Sequence, residues 1–307
     1  MVFKVGRKLY INLMRKNDKK RLAGLRTFGV TNTRADVSYF EDDLKEHKLD
    51  IIYPATGGNG ITILYIHGGS YIYGYKESSA IFTSYFVSKG FNVIAMNYRL
   101  ANHKEDISIM NQVHDVFLAL DFIRKNRVYY KINTEKFAIM GDSAGGHLAL
   151  LTNIIYHDKE AQNFFKIKKL PDIKISCYSL DSPMYDLIPL RDGSLKMLKK
   201  SLIKDMFTKE YRNDEYLMKL SPRYYIKKDL DLTPMFINTS LHDYFKSQSE
   251  LLNREHSSLK YPLEYYVCES PDKKIDHVYN HFVFDKEGQV CNDKIIDFIL
   301  RHVSVEK

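Results

Sequence analysis

The chain has 307 residues, with 46 Lys and Arg against 38 Asp and Glu, a net charge of +8. A hydrophobic fraction of 44% supplies one large core and excludes a disordered chain. The basic residues are scattered without interleaved stacking aromatics, which excludes a nucleic-acid-binding face, and no apolar run reaches the ~18 residues of a membrane span.

Residues 1 to about 45 are basic and mixed. Val2, Val5, Leu9 and Leu13 recur at roughly helical spacing among Lys4, Arg7, Lys8, Arg15 and Lys16. This short apolar face, lacking Trp, reads as a helix packed over the main domain as part of a lid, in preference to a helix on a membrane surface. The first twenty residues hold no uninterrupted apolar core and no small-residue cleavage site, so no secretory leader is expected. Cys177, Cys268 and Cys291 have neither metal-ligand nor redox spacing and fit a reducing, cytoplasmic compartment.

Leu49 to Pro54 reads as a strand stopped by proline, and Gly57 to Gly60 as a turn. That turn lacks the Lys and Ser/Thr of a phosphate loop. Ile61 to Ile66 is a buried strand that runs into His67-Gly68-Gly69-Ser70-Tyr71. A helix follows from Ala80 to Lys89, ended by Gly90, and then a strand from Phe91 to Met96. Val113, Val116, Phe117, Leu120 and Ile123 share one face of a long helix. Phe137 to Met140 is a strand, and Ala144 to Tyr156 a helix. Alternation at Ile173, Ile175 and Cys177 marks the next strand. Asp181 to Leu232 is rich in Lys, Leu, Met and Tyr, with two helical stretches and a Ser221-Pro222 break, and reads as an inserted helical cap. Pro234 to Thr239 returns to strand and Gln248 to Leu259 to helix. Leu263 to Val267 is the last strand, before a C-terminal helix from Asn292 to Val303. Strands alternating with helices predict an α/β fold, a mostly parallel sheet covered on both faces, with sites at the carboxyl ends of the strands.

Between the fourth of these strands and its helix stands Gly141-Asp142-Ser143-Ala144-Gly145. This G-x-S-x-G spacing makes a tight turn that presents a serine hydroxyl, with the Ala144 amide free to bind an oxyanion. A serine needs a base, and the base needs an orienting acid, in the chain order Ser, acid, His. Asp243 follows the Pro234–Thr239 strand and is the candidate acid, with Asp181 as runner-up; an N-cap is the plain structural reading of Asp243. His277 and His281 both follow the last strand and both remain candidate bases, whereas His256 and His302 fall in helices. The Gly68 and Gly69 amides supply the other side of an oxyanion hole, and His67 reads as a turn residue. His47, His103, His114, His147 and His157 show no paired metal-ligand spacing, so no metal and no cofactor are expected.

Taken together, HGGSYIYG at 67–74, NYRLA at 97–101, VHDV at 113–116 and GDSAGGHLAL at 141–150 resemble the hormone-sensitive-lipase-like branch of the α/β-hydrolase fold, carboxylesterases with an HGG oxyanion turn. The similarity runs from about Leu49 to Val303. It implies one α/β-hydrolase domain over 1–307, with cap elements at about 1–45 and 182–232. It implies Ser143 as nucleophile, Asp243 as acid, and the Gly68, Gly69 and Ala144 amides as the oxyanion hole. The family's base is followed by one residue and an aromatic, as in His277-Val278-Tyr279; His281-Phe282-Val283-Phe284 is the alternative. The implied activity is hydrolysis of short- to medium-chain acyl esters through an acyl-enzyme. A peptidase or amide deacetylase with the same triad, and a binding protein of the same fold, are the competing readings. The partner expected is a small-molecule ester, and a homodimer is compatible with the sequence. Two departures stand out. Asn102-His103 follows NYRLA where Pro and Glu are common, and Ser240 occupies the Gly position of the acid loop.

Overall fold

Eight strands form one sheet in the computed structural model, which describes residues 6–28, 32–192, 200–226, 230–259 and 261–303. They are β1 (Asn32–Ser38), β2 (Lys48–Tyr53), β3 (Thr62–Ile66), β4 (Asn92–Met96), β5 (Phe137–Asp142), β6 (Ile175–Asp181), β7 (Met235–Ser240) and β8 (Leu263–Cys268). Their order across the sheet is β1-β2-β4-β3-β5-β6-β7-β8. β1–β2 and β2–β4 pair antiparallel, and all remaining neighbours are parallel.

The strands are apolar on both faces because helices cover both. Leu64, Ile66 and Ile139 join one core, with Val116 and Leu120 of α3 (Ile109–Asn126) and Leu148 and Leu151 of α4 (Ala144–His157). Ile63, Tyr65 and Met140 point the other way, onto Phe82 and Phe86 of α2 (Ala80–Ser88) and Ile295 and Ile299 of α10 (Lys286–Val303). Alternate residues of one strand thus feed two cores, as the two-residue repeat of a strand requires. The remaining helices are α1 (Arg7–Leu22), α5 (Lys159–Phe164), α6 (Ile188–Asp192), α7 (Lys200–Phe207), α8 (Asp214–Leu220) and α9 (Lys246–Leu259).

The sequence reading meets one correction at β1. Residues 32–38 lie inside the stretch assigned to the cap, yet they extend the sheet. The strand is exposed over most of its length and has no apolar period to read. Its anchor is polar. The buried Lys76 ammonium lies 2.9 Å from both Asp36 on β1 and Asp50 on β2, at an irregularity in their register. α1 confirms helix at Leu9 and Leu13, which stay exposed; Val2 and Val5 lie outside the described residues.

Candidate active site

The turn between β5 and α4 carries Ser143 at φ +51° and ψ −112°, a conformation L-residues avoid. Tight packing imposes it. A Cβ at Gly145 would run into the Ile66 and His67 carbonyls, and one at Gly141 into the Gly145 backbone, at 2.5 Å. The Ser143 amide donates to the Asp181 carbonyl at 2.7 Å, fixing the turn to the neighbouring strand. With the backbone pinned, the hydroxyl stands clear of the sheet, and Ser143 Oγ–H donates to His277 Nε2 at 2.9 Å.

His277 Nδ1–H in turn donates to Asp243 Oδ1 at 2.9 Å. Asp243 also accepts from the Phe245 amide at 2.7 Å and from Thr239 Oγ1 at 2.8 Å. Burial pushes the Asp243 carboxyl up, but His277, then the Ser182 side chain and the Phe245 amide, outweigh it and hold the group below the ordinary carboxylate range. The imidazole is wedged between the Tyr244 and Phe245 rings, at 4.4 and 5.1 Å. Ser240, at the position where glycine is usual, donates from Oγ to the Asp276 carbonyl at 2.9 Å. That departure therefore ties the acid loop to the loop bearing the histidine.

The structure separates the paired candidates. Asp181 faces Asn238 and Asn280 and does not touch His277. His281 closes a 3-10 turn, Tyr279–His281, and lies in the core, where it stacks on Phe82 at 4.0 Å. Burial pushes the His281 ring down to about 4, so it is neutral at pH 7. An unfolded ring titrates near ~6.5 and takes up a proton that the folded ring refuses, so this residue's contribution to stability falls as pH drops from ~6.5 to 4. Relative to His281→Phe, the wild type should lose about 1.4 kcal/mol per pH unit across this window, read by denaturant melts at pH 6.5 and 4.5. Parallel pH dependence of the two proteins would refute the assignment.

On the other side of Ser143, Gly69 has φ +121°, and a Cβ there would meet the Tyr73 carbonyl. Only glycine makes this turn without strain. The Gly69 and Ala144 amides carry no hydrogen bond to another described residue. Gly68 differs: its amide donates to Asp142 Oδ1 at 2.9 Å, because the turn presses that N–H against the carboxylate. Asp142 also accepts from the Tyr65 hydroxyl. This role of Asp142, the x in G-x-S-x-G, was not read from the sequence, although the residue lies within the motif. His67 stacks on Tyr98 at 4.3 Å and accepts that residue's hydroxyl on its carbonyl, as suits a turn residue.

Ser143 and His277 open into a cavity of about 580 Å³. Its far wall comes from α1, through Tyr10, Met14, Asp18 and Arg21. Tyr10 bonds Ser70 at 2.8 Å, and Tyr73 donates to Asp18 at 2.7 Å, so the helix is fastened to the HGG turn's loop. The mixed polarity of α1 did not show which of its residues face the cavity. Among the described residues no group of His, Cys, Asp and Glu could hold a metal ion, and the three cysteines are unpaired and buried.

A doubly covered, mostly parallel sheet with a nucleophile elbow after its fifth strand defines an α/β-hydrolase fold. A family model described as BD-FAE matches residues 49–255, and the chain belongs to this family. The chain is 29% identical over 214 residues to an arylesterase of Saccharolobus solfataricus, 67% of this chain and 66% of the relative. It is 27% identical over 220 residues to an acetyl esterase of Salmonella choleraesuis (strain SC-B67), 66% of this chain and 62% of the relative. The matches thus span just under two thirds of these relatives' length. Esterase B from Lactobacillus rhamnosis shares the fold, with a TM-score of 0.86 at 22% identity over 97% of this chain and 94% of that one. Among the described residues, no helix is long and apolar enough to cross a membrane.

Proposed function

We propose that the protein is a serine carboxylesterase acting on short- to medium-chain acyl esters. The observation that carries this reading is the continuous chain of hydrogen bonds from Ser143 Oγ through His277 to Asp243, each ring nitrogen at 2.9 Å from its partner. Ser143 Oγ attacks the ester carbonyl while His277 Nε2 takes its proton. Asp243 holds the ring in the tautomer that leaves Nε2 free and stabilises the imidazolium. The tetrahedral oxyanion is bound by the Gly69 and Ala144 amides, the two left without an acceptor. Gly68 serves that hole indirectly, by holding the turn against Asp142. His277 then protonates the departing alcohol, and water repeats the sequence on the acyl-enzyme.

The cap in this reading is α1 with the segment 182–232. The cavity beneath α1, walled by Tyr10, Met14, Phe245 and Phe282, has room for a short acyl chain. Two measurements test the proposal together. A fluorophosphonate should add once, on the peptide containing Ser143. Rates on p-nitrophenyl esters from acetate to decanoate should peak at the short end. An active enzyme that the probe fails to label would overturn the mechanism, and an optimum at decanoate would overturn the assigned chain length.

A further inference from the structure

We propose that Asp181 is a positioning residue for this site, clamping the turn that carries His277 while its main chain holds the nucleophile. The inference rests on the triad reading above. Asp181 ends β6, is fully buried, and lies in register with Asp142 on one side and Asn238 on the other. Its carbonyl accepts the Ser143 amide at 2.7 Å. Its Oδ2 accepts Asn280 Nδ2 at 2.8 Å, and its Oδ1 accepts Asn238 Nδ2. Asn280 sits three residues beyond His277, in the turn Tyr279–His281, and its carbonyl accepts Asn292 Nδ2 of α10 at 2.8 Å. One residue therefore fixes nucleophile and base relative to each other.

Two amide donors converge on this side chain, and both need an acceptor. A carboxylate offers one oxygen to each. Asparagine at 181 would offer one oxygen and turn its own NH2 against a donor, opening the clamp on one side. Protonation has a similar effect, since a carboxyl group turns one oxygen into a donor. The ionisable groups facing Asp181 are Asp142 on β5, Tyr65 on β3 and Cys291 on α10, and all are acids. Burial, and then Asp142, push the Asp181 carboxyl up, and its amide partners only partly offset this, leaving it at about 7. As pH falls through neutrality the clamp takes up a proton and loosens. The acid limb of kcat/KM then carries an ionisation at Asp181 that an asparagine there removes.

The test compares wild type, Asp181→Asn, Asn280→Ala and the double variant on p-nitrophenyl butyrate across pH 5 to 9. Each single variant should lose kcat by about 10- to 100-fold, the scale of a small misplacement of reacting groups, with KM within about twofold. The double variant should be no worse than either single one, because both open the same clamp. The acid limb should be shallower in Asp181→Asn than in wild type. Unchanged kcat in either folded variant, additive losses, or an acid limb equally steep in wild type and Asp181→Asn would overturn the proposal. If Asp181→Asn does not fold, Asn280→Ala decides through the same kcat loss at constant KM. An inactive wild type, or activity surviving in Ser143→Ala, would instead refute the triad reading.

Discussion

Ser143→Ala and His277→Ala should each lower kcat by about 10⁶-fold, the scale seen when one member of a Ser-His-Asp unit is removed. The two losses should not add. Without Oγ there is no nucleophile, and without Nε2 the hydroxyl keeps its proton, so either deletion ends the same step. The geometry makes the expectation specific to His277. Its two nitrogens, each at 2.9 Å, bridge Ser143 and Asp243. His281 lies only four residues on but stacks under Phe82 and leaves Nε2 without a hydrogen-bond partner. His281→Phe should therefore retain kcat within about tenfold. Initial rates on p-nitrophenyl butyrate, with circular dichroism to show each variant folded, decide the matter. A His277→Ala enzyme within a hundredfold of wild type would sink the assignment, as would an inactive but folded His281→Phe. Residual turnover above water should remain in Ser143→Ala, since the Gly69 and Ala144 amides stay in place.

Much of this site was legible in the sequence, for identifiable reasons. The elbow and its proposed nucleophile could be read because the turn needs glycine at two fixed positions, and that steric demand leaves a mark in one dimension. The parallel strands could be read because burial on both faces leaves continuous apolar runs such as Thr62–Ile66 and Phe137–Met140. Spacing ranked Asp243 ahead of Asp181 without excluding it, because each ends or follows a strand at the same edge of the sheet. The difference lies in partners: Asn238 and Asn280 take up Asp181, and His277 takes up Asp243. The histidines are four residues apart, about one helical turn, and the left-handed Val278, at φ +52°, stands between the one at the site and the one in the core. β1, and the choice of α1 residues that wall the cavity, left no trace, because both are held by polar contacts from Lys76, Tyr10 and Tyr73, and such contacts have no period. The Gly68 amide shows the limit most sharply. The HGG pattern locates the turn, but which N–H is left for the proposed oxyanion depends on where Asp142, at the end of the neighbouring strand β5, places its carboxylate.

The largest expected effect on stability is at Gly145. An added Cβ would overlap the Ile66 carbonyl and crowd that of His67, both backbone groups at the end of a fully buried strand. A side chain could rotate away from the intruding methyl, but these carbonyls are held by β3 and the turn that follows it. The overlap can be relieved only by lifting α4 from the sheet, which would strip contacts from Leu148 and Leu151. The cost should exceed the 1–3 kcal/mol usual for overpacking, and Gly145→Ala should melt at least ~10 °C below wild type or fail to accumulate as soluble protein. Gly6→Ala is the control. No atom lies within 4 Å of the point its methyl would occupy, its φ is −70°, and it should melt within ~1 °C of wild type. Thermal unfolding followed by circular dichroism separates the outcomes, and a Gly145→Ala protein with wild-type stability would show that the turn yields where its geometry says it is rigid. That rigidity links the fold to the proposed chemistry. The close approach of α4 to β3 forces Ser143 into its unfavourable backbone conformation, and the same approach aims Oγ at His277 and leaves the Ala144 amide without an acceptor. A residue that relaxed the turn would release strain and, in the same movement, dismantle the arrangement on which the proposed catalysis depends.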